Sequence, residues 1–240
     1  TVREHKLDFI ALLETGRSNF SIPFLNQLAA GYNFSWFCLP PHGRSGGILV
    51  GINSDTLQVI KVTTGDFCVK LHIKCKRDGF EWILVPVYGA AQDLHKGEFL
   101  AKLVRICESE TLPMLVGGDF NIIRKREEKN NDNFKARWPF VFNAIIEHLN
   151  LREIALSGRQ FTWASRRDIP TYEKLDRVLA SISWEQKFPL VTVRALTRAD
   201  SDHTPILIDS GVKAHLGNKP KFSFELHWLR QEGFFDMIEK

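Results

Sequence analysis

Glu14 closes the apolar run Leu7 to Leu13, and strand ends in α/β sheets are where ligand sites collect. A hard divalent cation such as Mg²⁺ takes one or two carboxylates and keeps several waters. Glu14 is therefore a candidate metal ligand, and its plainer reading is a charged residue leaving a core strand. Asp119 and Asn121 flank Phe120 directly after Gly117 and Gly118. Residues two apart on an extended chain point the same way, so this carboxylate and amide can face one substrate. The two glycines permit close backbone approach. An ordinary Asp/Asn turn is the alternative, and a preceding buried strand favours function. Asp202 and His203, in Ser-Asp-His-Thr-Pro, can divide a metal or water contact from proton acceptance. Asp176 interrupts the apolar run Leu175 to Ala180. A buried carboxylate needs a partner. That partner is His203, whose tautomer it would fix, or else Arg177 or a nearby lysine. Tyr88 ends the strand-like ILVPVY and can offer its hydroxyl to a phosphate or cap a sheet edge. Arg166 and Arg167 lie in the polar connection Ser165 to Thr171, placed to contact DNA phosphates or to form a solvated hairpin tip.

These groups need strands to carry them. Leu7 to Leu13, Tyr32 to Leu39, Ile48 to Ile52, Leu57 to Val62, Phe67 to Lys74, Phe80 to Tyr88 and Met114 to Val116 read as strands. Gln160 to Ala164, Leu175 to Ala180, Leu190 to Leu196 and Pro205 to Ile208 follow. Lys76 to Gly79 is an Asp-Gly hairpin turn, which rules out an all-parallel sheet. Phe20 to Ala30, Gly97 to Ser109 and Arg137 to Leu149 read as helices, the first with Pro23 in its opening turn. Pro40 to Gly47 is a loop, and Arg124 to Lys135, charged in both signs, is expected to be a solvated one. Short strands with helices between them give an α/β fold of sheets faced by helices. Residues 1–212 form the expected domain, 213–221 a linker, and 222–240 an extension that needs a docking surface.

Composition narrows the class. The 240 residues are 44% hydrophobic and 25% charged, enough for a sizeable core. A net charge of +4 permits a nucleic-acid partner without arguing for one. The four cysteines form no Cys-x-x-Cys pair, which argues against a zinc cluster, and Cys38, Cys68 and Cys107 read as buried reduced thiols. No secretion signal and no membrane span are visible, so nucleus or cytoplasm is the expected location, with no membrane partner.

The ordered set Glu14, Tyr88, Asp119-x-Asn121, Asp176 and Asp202-His203 resembles the endonuclease/exonuclease/phosphatase superfamily, its apurinic-endonuclease-like branch most of all. The phrases LLETGRS, GRSGGILVGI, VYGAAQDLHKGEF, GGDFNIIR, FTWASRRDIPTYEKLDRVLAS and SDHTPI resemble the endonuclease domain of plant LINE-type (non-LTR) retrotransposon polyproteins, over about residues 7 to 210. The extension is similar to the connector that leads those polyproteins into reverse transcriptase. The resemblance implies a four-layer α/β sandwich of two packed mixed sheets flanked by helices. It implies Mg²⁺ or Mn²⁺ at Glu14, with Asp202 assisting. Asn121 and Tyr88 would bind the scissile phosphate. Asp119 would orient or activate the water or protonate the leaving oxygen. His203 would be base or phosphate clamp, oriented by Asp176. The hairpin Ser165 to Thr171, with Arg166, Arg167 and Thr171, would probe the DNA minor groove. The implied activity is a metal-dependent nick in target DNA. The alternatives are a phosphatase or phosphodiesterase on the same scaffold, and a catalytically impaired remnant. The family's first strand carries an asparagine near the metal. No asparagine precedes Asn19, which follows Glu14, so the expected fold lacks that strand.

Overall fold

A computed structural model describes residues 2–41, 46–198 and 201–211. The expected boundary at residue 212 and the extension beyond it lie outside the described residues, as does the middle of the loop Pro40 to Gly47, residues 42–45. The helices are α1 (Val2–His5), α2 (Ile22–Ala29), α3 (Asp93–Glu108), α4 (Arg137–His148) and α5 (Ile182–Lys187). The strands are β1 (Phe9–Leu13), β2 (Phe34–Leu39), β3 (Ile48–Asn53), β4 (Leu57–Thr64), β5 (Val69–Cys75), β6 (Glu81–Tyr88) and β7 (Met114–Asp119), followed by β8 (Leu151–Glu153), β9 (Leu156–Ser157), β10 (Trp163–Ala164), β11 (Tyr172–Glu173), β12 (Asp176–Ser181), β13 (Thr192–Ala195) and β14 (Ile206–Asp209).

A six-stranded mixed sheet, ordered β4-β5-β6-β7-β12-β8, forms the centre, with β6 and β7 its parallel pair. Its middle strands are apolar on both faces, as a doubly covered sheet requires. Ile83, Val85, Val87, Met114, Val116 and Leu179 face α3 and α4, where Phe99, Leu100, Leu103, Phe142 and Ile146 complete one core. The alternate residues Leu84, Leu115, Val178 and Ala180 face the other way and pack with Ile48, Val50 and Ile52 of β3 and Val193 of β13. The fold is thus an α/β sandwich of mixed sheets flanked by helices. Its second layer is divided among the described residues into β1-β3-β2 and β14-β13-β9, with β10-β11 as a separate ribbon.

Several local expectations shift. The α2 helix starts at Ile22 because Ser21 caps it, its hydroxyl accepting from the Phe24 N–H. The α3 helix begins at Asp93 and runs through Gly97, which faces the Trp138 ring. Cys68 and Cys107 are buried, but Cys38 is only half-buried, its thiol 3.8 Å from the Ser18 carbonyl. The stretch Arg124 to Lys135 is not simply solvated: it makes a 3₁₀ turn at Arg126–Glu128, and Glu128 is 5% exposed.

The two glycines before Asp119 are not equivalent. Gly118 has φ +141° and a side chain there would run into the Val87 carbonyl of the parallel neighbour. A Cβ at Gly117 would meet nothing closer than 3.6 Å. Gly118→Ala is therefore expected to destabilise the chain by more than about 2 kcal/mol, and Gly117→Ala by less than about 1 kcal/mol. Urea midpoints for the two variants check this; equal losses would refute the asymmetry.

Candidate functional site

Strand parity aims the acidic side chains. Along β7, Leu115, Gly117 and Asp119 share the face turned to the second layer, and along β12 Asp176, Val178 and Ala180 do the same. Asp176 lies opposite Asp119 in the antiparallel register, and Tyr88 lies beside Asp119 in the parallel one. Three adjacent strands therefore deliver Tyr88, Asp119 and Asp176 to one edge of the gap between layers. From the second layer, β1 ends just before Glu14, and the turn leading to β14 carries Asp202 and His203. The Tyr88 hydroxyl donates to Glu14 Oε1. His203 Nδ1 lies 2.8 Å from Asp176 Oδ2, and its Nε2 lies 3.8 Å from Asp119 Oδ2.

Asn121 reaches the site by a different route from the one its spacing implied. It is not extended: its φ is +52°, and its N–H donates to Asp119 Oδ1 at 2.8 Å, an Asx turn. Its amide Nδ2 donates to Asp119 Oδ2 at 2.8 Å and to the Gly89 carbonyl at 3.0 Å. Phe120 between them turns into the helix-side core. Glu14 also has a positive φ, +53°, a conformation that a glutamate tolerates less well than an asparagine does. Such backbone strain persists where surrounding contacts over-determine it, and it clusters at functional sites.

Burial and the facing Asp176 carboxylate raise the Asp119 carboxyl, with His203 opposing. Burial alone would lower His203; the hydrogen bond and charge of Asp176, with Asp119 and Glu14, outweigh it and raise the imidazole. Burial and then Glu14 push the Tyr88 hydroxyl well up, with Asp119 and Asp202 adding to it. Tyr88 is therefore a hydrogen-bond donor at neutral pH. Four carboxylates, Glu14, Asp119, Asp176 and Asp202, act on this one region, which a divalent cation would relieve. Ligand atoms of Asp119, Asp176 and His203 lie within 4.8 Å of one another. This donor set, two carboxylates and an imidazole, fits a divalent cation. That group does not include Glu14 or Asp202; within it Asp176 and His203 are engaged with each other, and both Asp119 oxygens accept from Asn121.

Trp163 and Thr162 were not singled out from the sequence, although both stand in the run FTWAS. The Trp163 indole N–H donates to Asp202 Oδ2 at 3.3 Å. Buried Thr162 accepts the Leu175 and Asp176 N–H groups on its hydroxyl, at 3.0 and 2.9 Å. Its carbonyl accepts the Thr204 N–H at 2.7 Å. This short stretch ties the Asp176 strand to the His203 turn. Lone Thr and Trp residues carry no spacing signal. Arg166 is exposed, 3.9 Å from Asp202 Oδ1. Arg167 and Thr171 line an open polar cleft of about 380 Å³ with Lys129, Asn131, Trp163 and Ser165. The Thr171 hydroxyl accepts from Asn131 Nδ2 and its N–H donates to Ser165 Oγ, so its polar groups hold the hairpin in shape.

The profile of the endonuclease/exonuclease/phosphatase family matches residues 1–203. No curated protein matches the sequence. Among solved structures, a 3′ phosphatase NExo from Neisseria bound to product DNA hairpin is similar, with TM-score 0.69, 15% identity, and coverage of 87% of this chain and 90% of that one. The endonuclease domain of TRAS1, a telomere-specific non-LTR retrotransposon, gives TM-score 0.66 and 16% identity over 87% of this chain and 88% of that one. An AP endonuclease from Archaeoglobus fulgidus gives TM-score 0.65 and 14% identity over 87% and 90%. No helix of the described residues is long and apolar enough to cross a membrane.

Proposed function

The chain belongs to the endonuclease/exonuclease/phosphatase family, and on that premise we propose that it is a divalent-metal-dependent DNA endonuclease that nicks target DNA for retrotransposon insertion. The observation that carries this reading is the convergence of Glu14, Tyr88, Asp119, Asp176 and His203 at one edge of the two layers. DNA as substrate is supported by the DNA-directed neighbours, a 3′ phosphatase bound to a DNA hairpin and a retrotransposon endonuclease domain.

Glu14 and Asp202 would hold the ion, which would supply Lewis-acid charge to the scissile phosphate. The Tyr88 hydroxyl and the Asn121 amide bind the phosphate oxygens, where negative charge develops. Asp119 holds or moves the proton at the reacting oxygen. His203, kept cationic by Asp176, clamps the phosphate. Water adds to phosphorus, the bond to the 3′ oxygen breaks, and the products are a 5′-phosphate and a 3′-hydroxyl. Arg166 and Arg167 engage the backbone beside the cut, and Thr171 shapes the hairpin that carries them. Residues 1–212 constitute this nuclease domain, and 213–240 lead toward a reverse-transcriptase domain in a plant LINE-type polyprotein.

The test is supercoiled plasmid with Mg²⁺, with and without EDTA. Relaxed circles that EDTA prevents and that DNA ligase reseals are expected. Phosphate release from a 3′-phosphorylated oligonucleotide, with plasmid left intact, would replace the endonuclease with a phosphatase. A folded chain inert on both substrates would be a remnant.

A further inference from the structure

We propose that Arg177 is a positioning residue that acts through the segment Ile122 to Glu128 to hold Asn121 in its left-handed conformation. Arg177 follows Asp176 on β12, so it points to the opposite face of the sheet, away from the acidic groups. Its side chain has no solvent exposure. Nη2 donates to the Ile122 carbonyl at 3.1 Å, the Lys174 carbonyl at 2.7 Å and Glu128 Oε2 at 3.0 Å. Nη1 donates to Glu153 Oε2 at 3.0 Å and Glu128 Oε1 at 3.3 Å. The guanidinium lies over the Phe142 ring at 5.7 Å, and Phe142 packs on Phe120 at 5.1 Å. Glu128 in turn accepts the Arg124 N–H and, through its carbonyl, the Lys174 N–H.

One planar fork therefore grips the residue after Asn121, the far end of the same turn, and the backbone two residues before the start of β12. Phe120, on the other side of Asn121, is held against the same ring. Such a cluster is an expensive way to gain stability, because well-packed apolar residues generally do as well or better. Fixed directions are what the guanidinium offers that they do not. Among the described residues buried Nε has no hydrogen-bond partner, so the group is oriented by the carbonyls and carboxylates its two terminal nitrogens reach rather than placed for full satisfaction. An asparagine enters the left-handed region more readily than most residues, and these contacts fix the backbone on either side of it.

The kinetic arm of the test rests on the proposed nuclease reading; a spectroscopic arm does not. Nicking rates are compared for the parent, Arg177→Met, Arg177→Lys, Asn121→Ala and Arg177→Met/Asn121→Ala. Arg177→Met is expected to lower the rate about 10- to 100-fold, the scale of a sub-ångström to ångström misplacement, and Arg177→Lys not to rescue it, because a point charge cannot replace the fork. Within the Asn121→Ala background the same change is expected to add less than about twofold. An equal loss in both backgrounds would overturn the proposal and leave Arg177 a structural residue. If the parent does not cleave, the side-chain amide resonances of Asn121 decide: displacement in Arg177→Lys supports the proposal, and unchanged signals overturn it. Should Arg177→Met fail to fold, Arg177→Lys and Glu128→Gln carry both arms.

Discussion

Replacing Asp119 with asparagine is expected to lower cleavage by at least about 10³-fold while leaving the metal-free chain as heat-stable as the parent or more so. The two effects have one cause. Asp119 is 2% exposed and faces Asp176 across the β7–β12 register. Burial first, and then Asp176, raise its carboxyl from 3.8 to about 7. An acid whose folded value lies above its unfolded value is harder to ionise in the fold. Its carboxylate therefore weakens the fold increasingly as the pH climbs from 3.8 through about 7. Asparagine carries no charge and escapes this penalty, but it can neither hold nor release the proton at the reacting oxygen. Melting in EDTA at pH 5 and pH 8 separates the contributions: the advantage of Asp119→Asn should be larger at pH 8. A variant less stable than the parent at pH 8 would show that the Asn121 contacts to this carboxylate outweigh its burial.

The second large effect is expected at Asp176. Asp176→Asn should reduce turnover about 10²- to 10⁴-fold, with His203→Ala comparable and the double variant no worse than His203→Ala alone. Asp176 Oδ2 is 2.8 Å from His203 Nδ1, and its charge outweighs burial in lifting the imidazole to about 9. An asparagine can present its NH₂ to that nitrogen and select the wrong tautomer, and it supplies no charge. Because the folded value is above the unfolded 6.5, the interaction stabilises the fold fully below 6.5, and that contribution is lost as the pH rises through about 9. Asp176→Asn should therefore bring the His203 titration down by NMR and remove that arm of the pH–stability curve. Independent, multiplicative losses in the double variant would mean that the two residues do not act as a unit.

The fold was largely legible because its signals are local. Leu115 and Val116, Leu84 and Val85, Val178 and Leu179 are apolar without alternation, and a run buried on both faces announces a central strand by composition alone. Helix limits were less legible. Gly97 suggested a start where α3 continues unbroken, because packing against Trp138 overrides a weak propensity. The run Arg124 to Lys135 looked solvated, since charge density says nothing about whether a partner waits across the fold. Glu128 is buried because Arg177 meets it there, 49 residues away in sequence.

The site divides in the same way. By itself the sequence determined which groups exist to do chemistry, a carboxylate at Glu14, the Asp119-x-Asn121 pair, Asp176, Asp202-His203 and the Tyr88 hydroxyl, because residue type and position at strand ends are properties of the chain. Tertiary structure decided which of them meet. Parity of β7 and β12 put Asp119 and Asp176 on one face and sent Arg177 to the other, and the antiparallel register set them opposite each other. An Asx turn at Asn121, rather than the same-side alternation of an extended chain, set its amide on Asp119. The physical reason is range: propensity and patterning act over a few residues, whereas burial, register and charge pairing depend on neighbours that only the closed fold supplies.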